Sequence, residues 1–263
     1  MQKIFDTLTN TFRKNRGFLS YEQLRSFLNH SKSIYSDMDT FILVMEASGY
    51  PMVEVEDGVA LRSFFTPYQE QKFCIVDIET NGSKPTTSQV IEIGAVMVQN
   101  GKVIAKFESF VYAKEVPDYI TKITGITQAD IENAPKPKEA LTLLKNFMGD
   151  AIFVAHNVKF DYSFLNHLFN HYGLGSIGNQ RMCTIDLARR TFESPRYGLA
   201  YLNETLGIEL ANHHRAYSDA LSASIVMKKS FETIPSYVKS GDDVVKFSLS
   251  NMATRKRKKK ENP

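Results

Sequence analysis

The apolar residues of the chain recur with two different spacings, and the change between them falls near residue 70. In the first region Ile4, Leu8 and Phe12 repeat at helical spacing, and Ser20 precedes a second helical pattern whose first turn is polar. A third helical pattern begins at Ser36 or Asp37. The N-terminal region is therefore predicted to form three helices.

Two short strand patterns follow the third helix, at Met52–Val55 and Val59–Phe64. Between them lies Glu56-Asp57-Gly58, and an Asp-Gly pair between apolar runs favours a tight hairpin. Three helices followed by a hairpin is the order of a winged helix-turn-helix, a fold that reads DNA in many proteins and binds protein partners in others. This region has no dense Lys/Arg face, so both roles stay open.

From Phe73 onward, strand patterns alternate with helical ones. The predicted strands are Phe73–Val76, Gln89–Gln99, Lys102–Tyr112, Ala151–Ala155 and Met182–Ile185. The main predicted helices are Pro135–Met148, Val158–His171, Leu199–Leu206 and Tyr217–Phe231. This order predicts an α/β fold with a mixed sheet.

Two carboxylates stand at the end of the first of these strands. Asp77 and Glu79 are separated by one residue, and positions i and i+2 of a strand point to the same side. Two like charges held this close need a countercharge, for which a divalent cation is suited. The pair therefore predicts a Mg²⁺ or Mn²⁺ site.

Two further acids supply candidate ligands at the starts of helices. Asp161 lies in an early turn after the strand that ends at Ala155, and Asp219 lies at the start of a later helix with His214 in the loop before it. Each residue alone has a plain explanation, because acids favour helix N-termini and a histidine in a loop is often a surface residue. Their occurrence together with Asp77 and Glu79 favours a site.

Composition narrows the class of protein. The chain has 263 residues, 43% of them hydrophobic, and its longest early apolar run is far shorter than the roughly 20 residues that span a bilayer. Neither a signal peptide nor metal-ligand cysteine spacing is present, so Cys74 and Cys183 are predicted to be reduced in a cytoplasmic protein. The net charge is +3, but residues 255–260 alone carry +6, so basicity is confined to a tail.

Three stretches resemble the motifs of the DEDDh exonuclease superfamily, and in particular the proofreading epsilon subunit of bacterial DNA polymerase III. They are Asp77-Ile78-Glu79-Thr80, His156-Asn157-x-x-Phe160-Asp161 and His214-Arg215-Ala216-x-x-Asp219. The resemblance runs from about Phe73 to Phe231. It implies a ribonuclease-H-like fold, with a mixed five-stranded sheet flanked by helices and the acids at one end of the sheet.

The resemblance also implies roles for the site residues. Two divalent cations, Mg²⁺ or Mn²⁺, would be held by four acids, with Asp77 shared between them and His214 as the base that activates water. The four acids and the base are Asp77, Glu79, Asp161, Asp219 and His214. The terminal nucleotide would be contacted by the backbone of Ile78 and by the side chains of Thr80, Thr124 and Phe160.

The predicted organisation has four parts. A winged-helix-like domain (1–66) and a linker (67–72) precede the exonuclease domain (73–235), and an extension with the basic tail (236–263) follows. The N-terminal unit has no counterpart in the isolated epsilon domain, and Asn81 and Thr124 stand where that family often has Thr and His. These departures bear on the biological role more than on catalysis.

The predicted activity is 3′→5′ hydrolysis of single-stranded or frayed DNA ends to 5′-mononucleotides, in proofreading or repair. A DNA polymerase subunit is the expected partner, bound through the segment from Ser240 onward. An exoribonuclease of the ribonuclease T kind is the alternative, because contacts to the 2′ position are not visible in a sequence. A catalytically silent nucleic-acid-binding module is the third possibility, although such a module has no use for four acids and a histidine.

Overall fold

The computed structural model describes residues 1–30, 37–208 and 215–249. The N-terminal unit forms a small helical domain with a three-stranded sheet in the order β1-β3-β2. Its elements are α1 (Gln2–Lys14), β1 (Phe18–Ser20), α2 (Tyr21–His30), α3 (Met38–Ala47), β2 (Met52–Val55), β3 (Gly58–Leu61) and α4 (Arg62–Phe65). The winged-helix-like arrangement predicted from the sequence is confirmed.

Local capping explains where these helices begin. The amide of Gln23 donates to the Ser20 hydroxyl at 3.2 Å, and the Gln23 side chain accepts from the Ser20 amide at 2.9 Å. The Asp37 carboxylate accepts from the Thr40 amide at 2.8 Å and so begins α3. The second hairpin strand ends earlier than predicted, at Leu61, because Arg62–Phe65 turns into the short helix α4.

The second part is built on a five-stranded mixed sheet in the order β6-β5-β4-β7-β8. Its elements are β4 (Phe73–Thr80), β5 (Val90–Gln99), β6 (Lys102–Phe110), α5 (Asp118–Thr124), α6 (Gln128–Ile131), α7 (Pro137–Met148), β7 (Ile152–Ala155), α8 (Val158–His171), β8 (Arg181–Cys183), α9 (Thr184–Thr191), α10 (Leu199–Leu206), α11 (Ala216–Phe231) and α12 (Gly241–Leu249). Strands β4, β7 and β8 run parallel, whereas β5 and β6 run antiparallel to their neighbours. The predicted fold class is confirmed.

Each face of the sheet buries a separate apolar cluster. Cys74, Val76 and Ile78 of β4 pack toward α7 and α8, while Phe73 and Ile75 pack toward α9, α11 and α12. Alternation along the strand therefore places Asp77 and Glu79 on the α11 side. Both cysteines are buried and unpaired.

The predicted last strand, Met182–Ile185, is too long. In the structure β8 ends at Cys183, which pairs with Ala155, the last residue of β7. Thr184 and Ile185 have no strand partner and instead start α9. Within the described residues no helix is long and apolar enough to cross a membrane.

The N-terminal unit packs on the second part of the chain through an ion pair. The guanidinium of Arg13 in α1 donates to the carboxylate of Asp242 in α12, at 2.7 Å for the shortest of three bonds. Asp242 is fully buried and also accepts from Nε2 of the Gln180 side chain at 2.8 Å. Residues 67–72, predicted as a linker, pack as well, since the Tyr68 ring lies 5.2 Å from that of Phe231. The domain boundaries themselves stay predictions.

Candidate active site

The central strand β4 carries the first two acids to the edge of the sheet where the parallel strands end. Asp77 and Glu79 are half-buried, whereas Ile78 between them and Thr80 after them are buried. On the neighbouring strand β5 the residues in register with the two acids are Gly94 and Glu92. The register shifts between Glu79 and Thr80, which pairs with Val90, so the regular pairing is interrupted directly beyond the acids.

Helix α11 brings the third acid to this edge. Asp219 lies in the first turn of the helix, and its amide donates to the Arg215 carbonyl at 3.0 Å. Asp77, Glu79 and Asp219 each offer one carboxylate oxygen, and the three oxygens lie within 4.8 Å of one another. Residues 142 positions apart in the chain thus meet in one cluster, as the motifs suggested. Their assignment as metal ligands remains a prediction.

The fourth acid, Asp161, lies beside the other three but is not one of the three-oxygen cluster. It occupies the first turn of α8 and is only 3% exposed. Backbone hydrogen bonds at Ile78 and at Asp161 itself partly stabilise its charged form, yet burial raises the pKa of Asp161 to about 7. The Asp161 carboxylate is close enough to Asp77 for its charge to raise the pKa of Asp77, and its role toward a second ion stays a prediction.

Burial and mutual repulsion disfavour the charged forms of the acids in the cluster. Burial, and then the charges of Asp161, Asp219, Glu79 and Glu92, raise the pKa of Asp77 well above its usual range. Burial and the same kind of neighbours raise the pKa of Glu79 to about 8, against a smaller opposing effect of Arg215. Three converging carboxylates that resist ionisation are a donor set suited to a hard divalent cation such as Mg²⁺ or Mn²⁺.

Raised pKa values predict a specific pH dependence of stability in the absence of metal. Because Glu79 and Asp161 hold protons in the folded protein that the unfolded chain releases, stability should fall as pH rises from about 5 through the pKa of about 7 for Asp161 and about 8 for Glu79. Thermal unfolding in EDTA at several pH values measures this. Glu79→Gln should flatten the curve and the exposed control Asp57→Asn should not. A wild-type curve that rises over this range contradicts the assignment.

Glu92 and Gly94 of β5, which the sequence analysis did not single out, determine how the start of α11 packs on the sheet. Both Nε and Nη2 of Arg215 donate to Oε1 of Glu92, at 2.9 and 2.6 Å. Oε2 of Glu92 accepts from the Ala216 amide at 3.0 Å, and the Glu92 side chain is fully buried. The available signal was a carboxylate and a glycine in the middle of the apolar strand Val90–Gln99, together with an arginine 123 residues after the carboxylate, at the start of a helix.

Gly94, opposite Asp77, allows this helix to approach the strand. A Cβ at Gly94 would lie 2.1 Å from the Tyr217 nitrogen, 2.2 Å from the Ala216 carbonyl carbon and 2.4 Å from the Tyr217 Cα. These are backbone atoms that no rotamer change moves. Glycine is therefore required for the approach of α11 to β5.

The histidine of the second motif is a neutral, buried residue. Nε2 of His156 lies 2.9 Å from the Tyr197 carbonyl, which only accepts, so Nε2 carries the proton and Nδ1 accepts from the Thr184 hydroxyl at 2.7 Å. Burial lowers the pKa of His156 to about 4. This histidine therefore holds the loop before α10 against the end of the sheet.

The predicted nucleotide-contact residues differ in how deeply they are buried. Phe160 is half-buried and packs on Phe164, at 5.9 Å between ring centroids. Thr80 and Thr124 are buried, and the Thr124 hydroxyl donates to the Ile120 carbonyl at 3.0 Å and accepts from the Ile126 amide at 3.1 Å. Their roles toward a nucleotide, like that of the Ile78 backbone, stay predictions.

Asn81 has a clear local function. Its side chain donates to the Glu115 carbonyl at 2.9 Å and accepts from the Gln89 amide at 2.6 Å, which ties the loop after β4 to the loop before α5. The predicted base His214, its neighbour His213 and the basic tail lie outside the described residues.

Comparisons with protein families, with individual sequences and with solved structures agree with one another. A protein-family model described as an exonuclease (RNase_T) matches residues 74–227. The PolC-type DNA polymerase III of Staphylococcus haemolyticus (strain JCSC1435) is 34% identical over 207 residues, and that of Staphylococcus aureus (strain bovine RF122 / ET3-1) is 32% identical over the same length. Each match covers 77% of this chain but only 14% of the polymerase, so the chain spans about a seventh of these relatives.

Solved structures agree on the fold. Exonuclease I superposes with a TM-score of 0.57 at 18% identity, covering 63% of this chain and 42% of that one. Escherichia coli Exonuclease I in complex with a dA16 oligonucleotide gives a TM-score of 0.56, also at 18% identity and with the same coverage of both chains. At this identity the likeness establishes a common fold.

Proposed function

This chain belongs to the DEDD exonuclease superfamily, and we propose that it is a metal-dependent 3′→5′ exonuclease that releases 5′-mononucleotides from DNA ends. The observation that carries the proposal is the cluster of Asp77, Glu79 and Asp219, whose oxygens lie within 4.8 Å of one another at the edge of the sheet. Asp161 is buried beside it. Such a set of acids is expensive to maintain without a cation, and it has no role in a silent binding module.

The four acids divide the work of holding two ions. Asp77, on the central strand, would contribute to both sites, Glu79 and Asp219 would complete one of them, and Asp161 would support the other. Two Mg²⁺ or Mn²⁺ ions would supply an activated water and neutralise charge on the phosphoryl oxygens. The chain's own part is to fix the carboxylates on rigid elements, β4, α8 and α11, and to align the 3′ end beside Phe160 and the turn after Thr80.

His214 is the proposed general base, because an imidazole titrates near neutral pH and the residue directly precedes Arg215. His214→Ala should lower turnover by about 10²-fold or more while Mn²⁺ binding stays close to that of the wild type. Calorimetry and initial rates across pH measure the two effects. If the pH–rate profile keeps its acidic limb unchanged in the variant, His214 is not the base.

DNA is the proposed substrate because both sets of similar proteins act in DNA metabolism by name: the curated relatives are DNA polymerases, and Exonuclease I was crystallised with a DNA oligonucleotide. An exoribonuclease of the ribonuclease T kind would use the same acids, and the family model carries that name. The distinction depends on contacts to the 2′ hydroxyl.

A matched set of labelled substrates tests polarity, sugar choice and end dependence together. Linear DNA and RNA of equal sequence, single- and double-stranded, are labelled at the 3′ or the 5′ end and incubated with Mg²⁺ or Mn²⁺. The proposal expects immediate release of labelled mononucleotide from 3′-labelled DNA, a shortening ladder from 5′-labelled DNA and no cleavage of circular single-stranded DNA. Faster degradation of RNA would establish the exoribonuclease, and cleavage of the circle would exclude an exonuclease.

The chain is proposed to work beside a replicative polymerase and to bind that polymerase through its C-terminal extension. Residues 241–249 form α12, whose Val244 and Val245 are buried, so truncation at Ser240 would remove part of the core. A pull-down of polymerase subunits should therefore compare the full chain with a chain that ends at Leu249. Equal recovery of the polymerase with both chains would place the tether elsewhere.

The N-terminal unit is assigned to a protein contact and not to DNA phosphates. A winged helix contacts DNA through its third helix and its hairpin, yet residues 37–58 contain six Asp and Glu residues and no Lys or Arg. Leu43, on the outer face of α3, is 64% exposed. If the nuclease binds DNA, charge reversal at Asp39 and Glu46 should leave the affinity for single-stranded DNA unchanged or increase it, and a loss of affinity measured by fluorescence anisotropy would overturn this assignment.

A further inference from the structure

The Arg215–Glu92 ion pair lies next to the acid cluster but contains none of the proposed ligands. Glu92 stands on β5 directly across from Glu79, and both point toward α11. Its carboxylate is fully buried, whereas the Arg215 side chain is 32% exposed. A buried carboxylate beside three other acids needs a specific reason, because its negative charge repels theirs.

The carboxylate of Glu92 acts as the cap of α11. The helix starts at Ala216, and Arg215, its capping residue, makes no side-chain bond to the first turn. The Ala216 amide instead donates to Oε2 of Glu92 at 3.0 Å. A strand residue thus satisfies a helix N-terminus from outside and places negative charge at the positive end of the helix.

The arginine fixes the same junction from the other side. Its guanidinium donates twice to Oε1 of Glu92 and lies 5.1 Å from the centre of the Phe110 ring on β6. The Arg215 carbonyl accepts the amide of Asp219 at 3.0 Å. One residue therefore joins the strand, through its side chain, to the backbone of the acid that completes the cluster.

We infer that Glu92 and Arg215 are positioning residues that lock the first turn of α11 onto β5, so that Asp219 is held in the metal cluster before an ion binds. This inference rests on the proposed function, because it takes Asp219 as a metal ligand. The pair acts through Asp219 and touches neither substrate nor ion. Its loss allows the helix terminus to turn away from β4 and leaves Asp77 and Glu79 without their third partner.

Two other readings make different predictions for metal affinity. If the pair acted only through its electric field, removing Glu92 would weaken Mn²⁺ binding and removing Arg215 would strengthen it, because the two charges are opposite. If the pair only stabilised the fold, neither change would alter Mn²⁺ affinity. Positioning predicts that both changes weaken Mn²⁺ binding, and that the double change is no worse than the poorer single one.

The experiment measures Mn²⁺ binding by calorimetry on the full chain and its variants, with thermal unfolding in EDTA measured in parallel. Glu92→Gln, Arg215→Met and the double variant should each weaken Mn²⁺ binding by about 10-fold or more, as is typical when the support of a ligand is lost. Asp242→Asn is the matched control, since it breaks another buried arginine–carboxylate pair away from the cluster. It should lower the unfolding temperature and keep the Mn²⁺ affinity.

Each outcome decides the inference. Tighter Mn²⁺ binding in Arg215→Met, or unchanged binding in both single variants, overturns positioning. If a variant does not fold, Arg215→Lys, which keeps the charge on a single donor nitrogen, should retain most of the affinity, and a loss as large as that of Arg215→Met overturns positioning too. A wild-type chain that binds Mn²⁺ tightly but degrades no DNA refutes the proposed function and leaves the positioning result intact.

Discussion

Asp77→Asn should reduce Mn²⁺-dependent release of mononucleotides by at least about 10³-fold and, at the same time, raise the thermal stability of the metal-free protein. The loss of activity is expected because Asp77 would hold ions that supply several kcal/mol of transition-state stabilisation. About 1.4 kcal/mol corresponds to a factor of ten in rate. The gain in stability is expected because burial and repulsion by four neighbouring acids both raise the pKa of Asp77. The uncharged amide of asparagine removes that repulsion.

The opposite directions of the two effects make this variant informative. Initial rates on 3′-labelled single-stranded DNA and unfolding temperatures in EDTA at pH 8 are the measurements. Asp57→Asn, an exposed acid in the hairpin of the N-terminal unit, is the control and should change neither quantity. Activity retained in Asp77→Asn would sink the metal-dependent mechanism. Lower metal-free stability would show that Asp77 is held by a partner other than its acidic neighbours.

Gly94→Ala should abolish activity although Gly94 carries no functional group. The added Cβ meets backbone atoms of Ala216 and Tyr217 at 2.1 to 2.4 Å, so α11 has to move away from β5 and take Asp219 with it. We expect a fall in activity of about 10²-fold or more, in line with the effect of misplacing a reactive group by roughly 1 Å. A stability loss of about 1–3 kcal/mol, typical of overpacking, should accompany it.

Gly198→Ala is the matched control for this variant. Among the described residues, and apart from the two chain neighbours of Gly198, no atom lies within 4 Å of a Cβ built there, so the same chemical change meets open space. Activity and denaturant midpoint should stay close to those of the wild type. If Gly94→Ala keeps full activity, the helix is not constrained by its approach to β5. If it loses stability while Mn²⁺ affinity and rate stay normal, Asp219 does not depend on that approach.

The sequence allowed the sheet and its acids to be predicted because both leave local signatures. Strands β4, β5 and β7 are apolar runs bounded by turn residues, and Asp77 and Glu79 follow from the period of two along a strand. Asp161 and Asp219 were recognisable from motif spacing once the first pair was in view. The predicted roles of Ile78, Thr80, Thr124 and Phe160 came from family resemblance and depend on a ligand for their test.

The structural features that could not be predicted from the sequence are either very short elements or contacts between residues far apart in the chain. Strand β1 has three residues, too few for a periodic pattern, and α9 begins where β8 loses its partner, which depends on the length of β7. The capping of α11 by Glu92 joins residues 124 positions apart. Gly94 is an unremarkable strand glycine until the helix that crosses it is placed.

The ion pair between Arg13 and Asp242 has a consequence for the order in which the molecule is made. The N-terminal unit has its own apolar core and can collapse soon after it leaves the ribosome. The guanidinium of Arg13, however, can pair only after Asp242, 229 residues later, has been synthesised. Contacts of such long range close late during folding. During synthesis, Arg13 therefore lacks its carboxylate partner until α12, the last helix of the described residues, has emerged.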